Sequence, residues 1–151
     1  MEGIMYARFS TNLPLVREAT EIIINTPSTI SDHFGDIADL AQESFQIATL
    51  NAKNKMIQRH MITLGIVDAS LVHPREVLRP CLLDGACDFA MFHNHPSGDV
   101  TPSAVDIRMT RQIVDSAKTM DIPAMDHLIL GKTSGRLALF SMREEGILDF
   151  S

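Results

Sequence analysis

The sequence has no tryptophan, a single tyrosine and 5% aromatic residues in all. Its interior must therefore be filled mainly by Leu, Ile and Val, together with nine methionines. Methionine adapts to irregular gaps and need not mark a binding surface. Cysteine is equally scarce: Cys81 and Cys87 are the only two, and neither has a C-x-x-C partner. That argues against a cysteine-based zinc site and for a reducing compartment, with both thiols read as buried small hydrophobes. No run approaches the roughly 18 apolar residues of a membrane span. The opening MEGIMYARFS lacks the charged-then-apolar pattern of a secretory signal. The expected location is cytoplasmic, with no membrane partner. A net charge of −6 denies the chain a dominant basic footprint for nucleic acid. Arg75, Arg79, Arg108 and Arg111 read as ordinary surface solvation.

What is present is a globular composition, 45% hydrophobic and 21% charged over 151 residues, enough for one domain with a real core. Its most informative stretch is Phe92 to Asp106, FHNHPSGDVTPSAVD. His93 and His95 are two apart, so in extended backbone they point the same way. Pro96, Gly98 and Pro102 give the following loop rigid turn chemistry. Ser103 and Asp106 then open an apolar periodic segment. Two imidazoles and a carboxylate delivered by a strand end, a tight loop and a helix start make a three-ligand site for zinc (Zn2+), the pattern of a catalytic rather than a structural metal. The same Ser103-x-x-Asp106 also fits a helix capping box. On this reading an Asp106 that binds metal is not available for capping, and a capping Ser103 is less free for chemistry.

The rest of the chain alternates strands and helices. Short strands are expected at Leu13–Arg17 and Ala19–Asn25, where Ile22-Ile23-Ile24 favours β structure. A helix is expected over Asp32–Gln42, capped by Ser31. Phe45–Leu50 and Lys55–Leu64 read as a hairpin around the Asn51–Asn54 turn, followed by a loop from Gly65 to Val72. Pro74 starts a helix that Gly85 stops, with Pro80 expected to kink it. Cys87–Phe92 is a buried strand. Apolar residues at 105, 109, 113, 117 and 120 give the clearest amphipathic helix. His127–Leu130 and Arg136–Phe140 form a last hairpin around a Gly131–Gly135 turn. This order predicts an α/β domain with a mixed, largely antiparallel sheet flanked by helices.

His93-x-His95, seven residues, Ser103, two residues and Asp106 resemble the signature of the JAB/MPN (JAMM) metalloprotease superfamily. The wording His93-Asn94-His95-Pro96-Ser97-Gly98 is similar to its RadC-like branch. So are His73-Pro74-Arg75-Glu76 upstream and Asp126-His127-Leu128-Ile129-Leu130-Gly131 downstream. The resemblance covers roughly residues 26 to 146. It implies a JAB/MPN, cytidine deaminase-like domain over 26–151, with 1–25 as an N-terminal extension whose strands join it. Longer RadC-like proteins carry a helix-hairpin-helix segment ahead of this domain, and the N-terminal stretch here is expected to be too short for one.

The resemblance further implies a zinc held by His93, His95 and Asp106, with Ser103 stabilising the oxyanion of a hydrolysed peptide or isopeptide bond. A glutamate from a strand of the second hairpin would serve as base. Counting back from Gly65 places His60 there. His60 reads in three ways: a replacement base, a fourth ligand that closes the site, or a side chain outside it. Glu76 is a further candidate acid, with helix-start electrostatics as its ordinary role. His73 reads as a helix cap, His127 as a hydrogen-bonded core residue and His33 as surface. Asp99 and Ser97 read as makers of turn hydrogen bonds. Three functions follow in order: a zinc metallohydrolase acting on a peptide or protein, a non-catalytic zinc-bearing module that binds a protein, and a DNA-repair role. Exposed hairpin edges make a homodimer an option.

Overall fold

The computed structural model describes residues 17–65 and 72–151. In chain order the elements are helix α1 (Pro27–Phe34), a 3-10 turn (Gly35–Asp39), strands β1 (Ser44–Leu50) and β2 (Met56–Leu64), helix α2 (Pro74–Asp84), strand β3 (Asp88–Asn94), helix α3 (Ala104–Thr119) and strands β4 (Ala124–Thr133) and β5 (Arg136–Ser141). The five strands form one sheet in the order β2-β1-β3-β4-β5. β3 and β4 run parallel, joined by α3, and the other neighbours are antiparallel. This is the α/β architecture expected from the alternation of elements.

Both faces of the sheet are covered, so β1 is buried along its whole length and β3 at every residue but Asp88. Alternation along each strand sends residues to two separate cores. Phe45, Ile47, Phe89, Met91 and Ile129 pack under α2 and α3. Ala48, Leu50, Ala90, Phe92 and Leu128 pack under α1 and the 3-10 turn. The stripe on α3 is buried at Met109, Ile113, Val114 and Ala117. No helix among the described residues is long and apolar enough to cross a membrane.

Several local expectations are corrected. The first helix begins at Pro27, not after Ser31. Thr26 Oγ1 accepts from the Thr29 amide at 3.2 Å, and Thr29 Oγ1 accepts from the Thr26 amide at 3.1 Å. This reciprocal box, with Pro27 at the first turn, is a stronger start than Ser31 alone. Ser31 is instead buried inside the helix and donates to the Ser28 carbonyl at 2.9 Å. The chain then tightens into a 3-10 turn that ends at Asp39, short of Gln42. Residues 19–25 make one isolated bridge, Ile23 to Lys55, rather than a regular strand. Of the expected strand Leu13–Arg17 and the expected loop from Gly65 to Val72, residues 13–16 and 66–71 lie outside the described residues.

α2 runs through Pro80 without interruption and ends on Gly85 at φ +64°. Gly131 is not a turn residue: β4 continues to Thr133, and the hairpin turns on Ser134 and Gly135, both at positive φ. Cys81 is buried as expected, and burial pushes its thiol up to about 12, but Cys87, just ahead of β3, is exposed.

Candidate metal centre

β3 delivers His93 near its C-terminal end, on the face shared with Phe89 and Met91. The backbone stays extended one step further, where the His95 amide donates to the Leu130 carbonyl of β4 at 2.9 Å. The chain then turns sharply, with the Gly98 amide donating to the His95 carbonyl at 2.9 Å, and returns to the start of α3. There Ser103 is the N-cap and Asp106 the third helical residue.

These pieces converge. His93 Nε2 and His95 Nε2 are 2.9 Å apart. Asp106 Oδ1 is 3.5 Å from His93 Nε2, and Oδ2 is 3.3 Å from His95 Nε2. A fourth group joins them: Glu43 Oε1 lies 3.8 Å from His93 Nε2. One ligand atom from each of Glu43, His93, His95 and Asp106 falls within 4.8 Å of all the others.

Glu43 is the residue that sequence reasoning missed. It directly precedes β1, and β1 pairs with β3 so that Phe45 stands opposite His93. The available signal was an acid just ahead of an apolar strand, which becomes meaningful only once that strand is paired beside His93. Asn94, between the two histidines, points to the opposite face of the sheet. Its Oδ1 accepts from the Ser44 amide at 2.7 Å, and its Nδ2 donates to the Gln42 carbonyl at 2.9 Å. The side chain thus clamps the backbone on both sides of Glu43.

His60 and Glu76 lie elsewhere, in a groove they line together with Arg17, Arg79 and Asp84. His60 Nε2 is 2.6 Å from Asp84 Oδ2, and Arg17 Nε is 3.2 Å from Asp84 Oδ1. His60 stands opposite Ile47, whereas Thr63 is the β2 residue opposite Phe45 that reaches the wall of the cluster. The base sought by counting along β2 is therefore not placed at the cluster. The physical reason is position along the strand: His60 pairs with Ile47, which stands beside Met91, whereas the cluster lies at the level of Phe45 and His93, two residues further along β1.

Other candidates fall outside the cluster too. His73 is the N-cap of α2, but its side chain makes no capping bond. His33 is exposed. The Asp99 amide donates to Ser97 Oγ, and Asp99 Oδ1 accepts from the Thr101 amide, so these residues shape the turn. His127 is fully buried, with its Nε2 2.8 Å from His93 Nδ1.

The capping box and the cluster coexist. Asp106 Oδ2 accepts from the Ser103 amide at 2.8 Å while facing His95, because a carboxylate has about four lone-pair sites. Ser103 Oγ accepts from the Asp106 amide at 3.0 Å, which leaves its own proton free to donate. The expected conflict between capping and chemistry does not arise.

The electrostatics are those of a site built for a cation. Burial opposes the ionised form of Asp106, yet hydrogen bonds from His95 and Ser103 and the nearby His93 hold its carboxyl well below the usual carboxylate range. Burial pulls His93 down to about 4, so its ring is neutral. The hydrogen bond to Asp106 leads the causes that raise His95. Burial also raises Glu43. His95 Nδ1 donates to the Asp99 carbonyl at 2.7 Å, so its Nε2 is the nitrogen left for a ligand. Two imidazole nitrogens at 2.9 Å, beside two carboxylates, need a cation or a proton between them; this donor set fits a divalent metal.

The family model that matches is the RadC-like JAB domain, over residues 24–147. A UPF0758 protein of Listeria monocytogenes is 37% identical over 135 residues, 89% of this chain and 58% of that protein. One from Clostridium perfringens is 38% identical over 145 residues, 95% of this chain and 60% of that protein. One from Caldanaerobacter subterraneus is 39% identical over 111 residues, 74% of this chain and 46% of that protein. The chain thus spans at most about three-fifths of the length of these relatives. A match over most of the sequence, the five-stranded mixed sheet and the clustered His93, His95 and Asp106 together place this chain in the RadC-like JAB domain family.

Proposed function

We propose that this chain is a zinc metallohydrolase of the JAMM type, acting on peptide or isopeptide bonds, with His93, His95 and Asp106 as the metal ligands. The observation that carries the reading is the convergence of those three side chains with the Glu43 carboxylate beside them. When bound there, zinc would polarise a carbonyl and make water acidic enough to supply hydroxide near neutral pH.

The chain's own residues then have separate tasks. Glu43 accepts the proton released by the attacking water and returns it to the leaving amine. Its carboxyl, raised by burial, is better suited to hold that proton than an ordinary surface glutamate. Ser103, exposed at the edge of the cluster, directs its unused hydroxyl proton to the oxyanion. Phe45, Val72 and Met109 form the apolar wall that limits water around these groups.

The alternative of a non-catalytic zinc-bearing module rests on a histidine standing in for the acid. Glu43 at 3.8 Å from His93 supplies that acid and removes the motive. With a net charge of −6, a peptide or protein is the favoured substrate class over nucleic acid.

The test is elemental analysis of the purified chain followed by a broad peptide panel. About one zinc per chain is expected, lost in His95→Ala and Asp106→Ala. Glu43→Gln should keep zinc while hydrolysis falls by about 10²–10⁴-fold, the usual worth of a positioned acid–base group. Full metal retention in both ligand variants would refute the ligand set, and undiminished hydrolysis by Glu43→Gln would refute the base.

A further inference from the structure

Behind His93 runs a line of buried hydrogen bonds that begins at the backbone carbonyl of Asp106 and ends at His93 Nδ1. Thr110 Oγ1 lies 2.7 Å from the Asp106 carbonyl oxygen, one helical turn back along α3. The same Oγ1 lies 2.6 Å from His127 Nδ1. His127 Nε2 lies 2.8 Å from His93 Nδ1. Thr110 and His127 are fully buried, and His93 nearly so.

The order of donors along this line is fixed from one end. A hydroxyl has a single proton, and a backbone carbonyl can only accept. Thr110 gives its proton to the Asp106 carbonyl, the helical back-bond that threonine makes readily. Its oxygen therefore accepts from His127 Nδ1–H. Burial disfavours a second proton on His127, so its Nε2 carries a lone pair and accepts from His93 Nδ1–H. The lone pair of His93 is then left on Nε2, the nitrogen that faces His95 and Asp106. Were the line reversed, with Thr110 donating to His127, each ring would hold its proton on Nε2, and His93 would present an N–H to the cluster.

We infer that Thr110 and His127 are positioning residues that set the tautomer of His93, so that the backbone carbonyl of one metal-binding residue, Asp106, fixes which nitrogen of another, His93, is presented to the metal. The inference rests on the cluster being a metal site, and it adds to that reading the two residues that orient its most buried imidazole. Ligating histidines usually direct their second nitrogen to a carboxylate, carbonyl or water. His95 does so through the Asp99 carbonyl, and His93 uses a second imidazole in its place.

The experiment has two readouts on the intact chain. Long-range ¹H–¹⁵N correlation of the histidine rings gives each tautomer directly, in metal-free and zinc-loaded protein. The expected result is protonated Nδ1 on both His93 and His127; a proton on Nε2 of either ring overturns the inference. Zinc competition against a chromogenic chelator then compares variants. Thr110→Val removes the hydroxyl, and His127→Phe keeps a buried ring without an acceptor. Each should weaken zinc binding about 10–100-fold, while Thr110→Ser, which retains the back-bonding hydroxyl, should stay within a few-fold of wild type. Wild-type affinity in Thr110→Val, or equal losses in the valine and serine variants, overturns it too. A wild-type chain that takes up no zinc would sink the metal-site reading, and the ring tautomers of that same metal-free sample would still decide the order of the line.

Discussion

Gly98 and Gly131 meet backbone to backbone. A methyl group on Gly131 would stand 3.0 Å from the Gly98 carbonyl oxygen, and one on Gly98 would stand 2.3 Å from the Lys132 carbonyl oxygen. Gly98 also sits at φ +85°, where side chains are strained. The loop that carries His95 around to Ser103 is thus pressed directly onto β4, and two glycines make the contact possible.

Gly98→Ala should therefore damage the site through its scaffold. Lifting the loop off β4 moves His95 relative to Asp106. A loss of the order of 1–3 kcal/mol in stability is expected from backbone strain alone, along with reduced zinc stoichiometry. Thermal unfolding and metal analysis of the variant check both. Unchanged zinc content with unchanged melting would show that the contact does not hold the loop.

Asn94→Ala should uncouple Glu43 from the metal ligands. The substitution leaves the Ser44 amide and the Gln42 carbonyl without their partner on the buried side of the sheet. That costs about 1–3 kcal/mol and frees the backbone flanking Glu43. Zinc should remain, since His93, His95 and Asp106 are held by other bonds, while hydrolysis of a responsive peptide falls. A variant with normal turnover and normal stability would remove Asn94 from the account.

His60→Ala should act on stability and not on the metal. His60 is paired with the fully buried Asp84, which also accepts from Thr49 at 2.7 Å. Removing the imidazole takes away one partner of a buried carboxylate, a loss of about 1–3 kcal/mol. Zinc content and the pH dependence of hydrolysis should match wild type. A shifted pH profile would return His60 to the list of acids and bases.

Asp88 predicts a pH-dependent component of stability with an unusual sign. Burial raises its carboxyl to about 6, and its Oδ1 is buried without a hydrogen-bond partner among the described residues. The folded state thus holds this proton more tightly than the unfolded chain, whose value is near 3.8. The contribution is fully present below the unfolded value and is lost as pH rises through about 6. Asp88→Asn should remove that slope and stabilise the protein at pH 7 by about 1 kcal/mol, once solvent screening at this partly exposed site is allowed for. Denaturant unfolding of both proteins from pH 4 to pH 8 is the check, and parallel curves would contradict it.

The sequence by itself determined the parts that depend on local chemistry. The His-x-His spacing on an extended strand end, the Pro–Gly loop and the Ser103–Asp106 helix start are short-range patterns, and they assemble as their residue types require. The α3 stripe and the β1–β2 hairpin were legible for the same reason. Tertiary structure alone decided the remainder. Glu43 enters the cluster because β1 pairs with β3, fifty residues away in the chain, and Asn94 clamps the backbone on either side of it. His60 lies outside it because the pairing of β1 with β2 sets it opposite Ile47, two residues along β1 from Phe45, which stands beside His93. Gly131 belongs to a strand and not a turn because β4 pairs with β5 through it, opposite Ala138, and the Gly98 loop lies against it. His127 becomes a partner of His93 only through the parallel pairing of β3 with β4. Local patterns fix which side chains are offered. Strand order and register, which no short window of sequence encodes, fix which of them meet.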